Sequence, residues 1–163
     1  NFESIDSLVE RINKFVPIED SSAAEFRAQL GGLLAVYVVA HYENCIKDTM
    51  ISFASARSRQ FGEFMERNFE KLNSKIQAND LKRYSKLLDP KLSVEFVEKL
   101  DRRRRLFSTL AGKNVESQLQ SMLTWRHEFA HAGKLLTTVE EAMKTHRLAR
   151  IPIQTFEEVF SEY

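Results

Sequence analysis

Leu33-Leu34-Ala35-Val36-Tyr37-Val38-Val39-Ala40-His41-Tyr42-Glu43-Asn44-Cys45-Ile46-Lys47-Asp48 is the stretch that decides the fold class. Around it, Phe26, Leu30, Leu33, Leu34, Tyr37, Val38, His41 and Cys45 recur three and four residues apart and the pattern runs on to Ile51, with no proline. That spacing keeps one face of a 3.6-residue helix apolar and predicts a long helix near residues 22–56. Outward from it the chain reads as helix after helix, near 3–15, 59–76, 79–88, 92–110, 114–131, 138–149 and 154–162. Ser22-Ala23-Ala24-Glu25 and Thr138-Val139-Glu140-Glu141 have the capping-box form, and Asn79 and Asn114 can each cap a helix start. Pro90 after Asp89, Gly133 after a long periodic run, and Pro152 are expected boundaries. Apolar stripes at Phe61, Phe64, Met65, Phe69 and Leu72, and at Leu119, Met122, Leu123, Phe129 and Ala130, read as core. No alternation long enough for a half-buried strand occurs, so the expectation is an all-α helical bundle with additional short helices.

Composition narrows the rest. The chain of 163 residues suits one domain, 1–163, and its opening on Asn1 reads as a piece of a longer protein. Its 5 Gly and 3 Pro are too few for a turn-rich β domain. The single cysteine, Cys45, leaves no intrachain disulfide and no multi-cysteine metal site, and fits a reducing, cytoplasmic setting. The most apolar run, residues 31–40, falls far short of the ~20 residues a membrane span needs, and no leader is evident. The net charge of +1 hides an asymmetry: net −4 over residues 1–56, +7 over 57–113 and −2 over 114–163. The basic block peaks at Arg102, Arg103, Arg104 and Arg105, which can attract phosphate or can simply be a solvated helix face.

The chemistry concentrates in Trp125-Arg126-His127-Glu128-Phe129-Ala130-His131-Ala132-Gly133-Lys134. His127 and His131 make an H-E-x-x-H pattern, which on a helix can present two imidazoles to zinc with Glu128 as base. Against a zinc hydrolase, no third ligand follows at the required spacing, and no strand is in sight to align a peptide. The expectation is no metal and no cofactor. Arg126 and His131 make a second pattern, R-x4-H, at the end of an apolar helix and followed by Ala-Gly.

That second pattern resembles the HEPN superfamily, whose members carry R-x4-6-H in the last core helix with a polar residue after the arginine. Arg126 and His131 match the motif positions and His127 the polar one, although Asn is commoner there. The long helix around Glu43 resembles the first core helix of the ribonuclease-like group, RiboL-PSP-HEPN-like or related, which often has an acidic residue in this register. The resemblance implies a metal-independent endoribonuclease acting as a homodimer, with RNA as partner, products ending in 2′,3′-cyclic phosphate and 5′-hydroxyl, and a toxin or phage-defence setting with an antitoxin or a fused defence domain as further partners. A non-catalytic HEPN-type binding or dimerisation module is the alternative.

The residue types suit that chemistry. Histidine can take the proton of a 2′-hydroxyl near neutral pH, and the arginine fork matches phosphate oxygens and stays charged. Five residues apart on a helix, however, Arg126 and His131 diverge by about 140°, so fraying near Gly133 or a second protomer would have to bring the groups together. His131 would act as general base or acid, Arg126 would stabilise the transition state, His127 would bind phosphate or support His131, and Glu43 would orient Arg126 or a histidine. Blander roles are open for each: His131 as a cation at a helix C-terminus, Arg126 in a salt bridge or stacked beside Trp125, Glu43 as a packing-associated polar residue. His41 and His146 read as ordinary helix residues and Cys45 as a small buried hydrophobe.

Overall fold

The computed structural model describes residues 2–18 and 23–163. Among them seven helices form and no strand: α1 (Glu3–Phe15), α2 (Ala24–Arg57), α3 (Arg59–Asn68), α4 (Ala78–Leu88), α5 (Pro90–Ala111), α6 (Val115–Ala132) and α7 (Val139–Ser161). The architecture is all-α. Helix α2 is the hub, with α3, α6 and α7 packed on it, while α5 packs on α7 and carries α4. No helix is long and apolar enough to cross a membrane, the described residues being those considered.

The caps show why the boundaries fall where they do. The Asp89 carboxylate accepts the Lys91 N–H and Pro90 opens α5, where its missing N–H has no helical partner to lose. Asn114 accepts the N–H groups of Glu116 and Ser117 at 2.8 and 3.2 Å, and Thr138 accepts that of Glu141 at 3.1 Å. The Ser22 capping box lies outside the described residues.

Three expectations are corrected. Helix α3 stops at Asn68 instead of near 76. Residues beyond it leave the helix, with Asn73 and Ser74 in the left-handed region, so that Leu72 and Ile76 reach the core; Phe64, expected in the stripe, is exposed. Asn79 does not cap α4; that helix starts two residues earlier, with the Gln77 N–H donating to Asp80 at 3.3 Å. Pro152 does not end a helix, because α7 runs through it. An interior proline costs a helix about 3 kcal/mol through its lost N–H and its clash with the preceding turn. Here Ala149, Ile151, Pro152, Ile153 and Phe156 are all buried, and packing against α2, α5 and α6 outweighs that cost.

The core-facing side of α2 also differs from the predicted stripe. Leu34, Ala35, Val38, Val39, Tyr42, Ile46 and Met50 are buried, whereas Phe26, Leu33 and Tyr37 are 53%, 52% and 42% exposed. Helix α1 is held at both ends. Phe2 packs edge-on to Tyr42 and His146, with ring centroids 5.8 and 5.5 Å apart. At the other end the buried Arg27 guanidinium donates to the Val16 carbonyl, to Asn13 Oδ1 at 2.7 Å and to Glu140 at the start of α7.

Candidate active site at the C-terminal end of helix α6

Val115, Leu119 and Met122 are fully buried at steps of four and three along α6. The next step of four is Arg126, which therefore continues the core-facing stripe of the helix. It is half-buried, and it makes no hydrogen bond or ion pair with any described residue. Placing a guanidinium there is costly without an anion to meet it, since partly desolvated charge is stable only when paired.

His127 and His131 lie one turn apart and both are exposed. Their ring centroids are 4.6 Å apart at 50°. Neither imidazole hydrogen-bonds to a helix carbonyl, and His131 stands in the last turn of α6, where a cation is favoured by the helix dipole.

The end of the helix is fixed and not frayed. Gly133 takes φ 64°, its N–H donates to the Phe129 carbonyl at 2.9 Å, and the Lys134 N–H donates to the Glu128 carbonyl at 3.3 Å. This Schellman closure keeps His131 helical and leaves Arg126 and His131 divergent within one chain.

Glu128, the would-be base of a zinc site, is bound instead by the Lys134 ammonium at 2.6 Å, which holds its carboxyl below the ordinary glutamate range. Among the described residues no group of three or more His, Cys, Asp or Glu side chains is arranged to hold a metal ion. None of the described residues stands with the H-E-x-x-H pair as the third protein ligand of a tetrahedral zinc site.

Two glycines set the position of this end. A Cβ on Gly32 would lie 2.1 Å from the Phe129 ring, and one on Gly31 would lie 2.6 Å from the Thr137 carbonyl oxygen. Helix α2 therefore touches α6 and the 133–138 link with almost no space between them. The exposed Leu33 follows that contact on α2, and the exposed Leu135 and Leu136 precede it on the link, so apolar side chains border the motif. The sequence carries this signal in the adjacent Gly31-Gly32 pair, which opens the apolar run 31–40.

The other predicted site residues lie elsewhere. Glu43 sits eleven residues along α2 from Gly32, about 16 Å at 1.5 Å per residue. Its carboxylate accepts the N–H of Ser74 and braces the 69–77 link, so within one chain it does not orient Arg126. The arginine run divides around α5. Arg103 bonds Thr155 at 2.9 Å and pairs with Glu158. Arg104 pairs with Glu116 and with Asp101 at 3.4 Å. Arg102 and Arg105 are exposed and carry no ion pair among the described residues. Because Glu116 is ten residues from Arg126 on α6, the run sits about 15 Å from the motif, toward the other end of that helix.

Nothing among the curated proteins and nothing among the solved structures matches this chain. A family model described as RiboL-PSP-HEPN matches residues 1–162, almost the full length. With an all-helical fold over that same span and R-x4-H closing its sixth helix, the chain belongs to the RiboL-PSP-HEPN family.

Proposed function

We propose that the protein is a metal-independent endoribonuclease in which Arg126 and His131 act on the scissile phosphate. Family membership supports a nuclease-like, RNA-related function. The observation that carries the finer reading is Arg126, half-buried at the end of a core stripe with no hydrogen bond or ion pair among the described residues, next to two exposed imidazoles whose rings lie against each other. An RNA phosphate supplies the missing anion. Histidine 131 removes the 2′-hydroxyl proton or protonates the leaving 5′-oxygen, and Arg126 neutralises charge on the phosphorane. His127, its ring tilted against that of His131, holds a phosphate oxygen or supports His131. Glu43 acts at a distance, by fixing the 69–77 link.

Because the Schellman closure keeps the two groups apart on one helix, a two-fold pairing of chains is the arrangement that assembles a complete site. The apolar border of Leu33, Tyr37, Leu135 and Leu136 suits that contact. A toxin or phage-defence role, with an antitoxin or fused defence domain as partner, fits a cytoplasmic RNA-cutting protein of this family.

The test is RNA cleavage by folded protein whose mass is checked by light scattering. Arg126→Ala and His131→Ala should each lower the rate by about 10²–10⁴-fold, and Arg126→Lys should rescue poorly, since an ammonium lacks the bidentate fork. Chelator should leave the wild type active, and the wild type should run as a dimer at micromolar concentration. A fully active monomer contradicts the paired site. A wild type that binds but never cuts RNA favours the non-catalytic binding module.

A further inference from the structure

Beside the motif, on the flank of α6 that faces α7, lies a cavity of about 440 Å³ lined by Lys113, Gln118, Ser121, Trp125, Glu141 and Lys144, with the first residues of α7 closing one end. We infer that this cavity is a nucleotide subsite, in which a base of single-stranded RNA stacks on Trp125 while its phosphates meet Lys113 and Lys144. The inference rests on the RNA reading above and extends it to a part of the molecule outside the motif.

The lining selects the ligand class. Neither lysine has an ion pair or hydrogen bond among the described residues. Of the two glutamates at this wall, Glu140 is already paired with Arg27, so the lysines outnumber the remaining carboxylate of Glu141. The indole of Trp125 is half-buried against the core, which holds its ring in place, and its N–H has no partner among the described residues. An apolar ligand would strand both ammoniums and the Gln118 amide. A simple anion would make no use of the indole. A flat heterocycle carrying phosphate satisfies all of them, with Gln118 and Glu141 able to bond the edge of the base.

Position supports the same reading. Trp125 and Arg126 are consecutive, so their Cα atoms are 3.8 Å apart and their side chains leave the helix about 100° apart. Arg126 lies between Trp125 on one flank and His127 and His131 on the other. A strand whose scissile phosphate sits at Arg126 thus has its neighbouring nucleotide within reach of the cavity.

Trp125 is the only tryptophan in the chain, so its emission reports on this cavity alone. The experiment titrates wild-type protein with short single-stranded 2′-O-methyl RNA of mixed sequence, which lacks the attacking hydroxyl. It follows tryptophan emission, iodide quenching and the anisotropy of labelled RNA. We expect quenching of the emission and protection from iodide in step with binding. Trp125→Ala should weaken binding about 5- to 100-fold, with Trp125→Phe retaining part of it and guarding against a folding defect. Lys113→Ala with Lys144→Ala should weaken it in low salt and reduce the slope of log affinity against log salt by about 1.4, at about 0.7 per phosphate contact on a single strand.

RNA binding with unchanged emission, or with affinity indifferent to both lysines, overturns the subsite. So does a free mononucleotide that quenches as strongly as the oligonucleotide without lysine dependence. The two readings fail separately. Cleavage of unmodified RNA without any effect at Trp125 removes the subsite and leaves the nuclease. Quenching and lysine-dependent binding without cleavage removes the nuclease and leaves the subsite. Absence of RNA binding altogether removes both.

Discussion

His146 makes the fold sensitive to acid. Its ring is fully buried, Nδ1 lies 2.7 Å from the Tyr42 hydroxyl, and Nε2 has no hydrogen-bond partner among the described residues. Phe2 and Tyr42 pack their rings on it, the His41 ring packs on Phe2, and Arg150, His41 and Arg147 act on it as charges. Burial first, and then the repulsion of Arg150, His41 and Arg147, push its pKa down to about 4. The unfolded chain has an ordinary histidine near 6.5, so between those values the unfolded state binds the extra proton. Stability is therefore complete above about pH 6.5 and falls as pH drops toward 4, by about 3 kcal/mol for this one group. Urea unfolding at pH 7 and pH 4.5 should show that loss, and His146→Phe should flatten the part that it contributes. An unchanged pH slope in the variant contradicts the assignment. Reading the sequence, His146 looked like an ordinary helix residue, because nothing local reveals that a tyrosine 104 positions away will meet it. Arg126 and His131 stood out because their types, spacing and place at a helix end are all local properties.

Helices were legible for the same reason. Caps at Asp89, Asn114 and Thr138 and the stop at Gly133 use side chains or backbone within a few residues, and the structure keeps each of them. Where a distant partner decides, local signals do not fix the boundary. The 59–76 segment breaks at Asn68 because Leu72 and Ile76 find the core, and α7 continues through Pro152 because its neighbours bury that region. The α2–α6 contact is another such long-range feature. Gly32→Ala would set a methyl 2.1 Å from the half-buried Phe129 ring. We expect a loss of about 1–3 kcal/mol, typical of overpacking, and a shift of the α6 end that also lowers any activity of the motif. Thermal unfolding of Gly32→Ala beside an exposed control, Ala40→Gly, checks this; a wild-type melting temperature for the first would show that the helices part without cost.

At the scale of the whole molecule, the arrangement separates two kinds of surface. One end of α6 carries Arg126, the histidines and an apolar border, while Arg102 and Arg105 are exposed on α5. The sequence gathered all these cations into one expectation of RNA contact, but only the fold shows that Arg103 and Arg104 are consumed by Glu158 and Glu116. What unites the parts is the claim that RNA is cut at the motif by its own 2′-hydroxyl. The most direct measurement of that claim is the chemistry of the product ends after incubation with RNA in excess chelator. The account predicts 2′,3′-cyclic phosphate and 5′-hydroxyl ends from the wild type and none from folded His131→Ala. Products with 3′-hydroxyl and 5′-phosphate ends, or cleavage by folded His131→Ala at the wild-type rate, would contradict it.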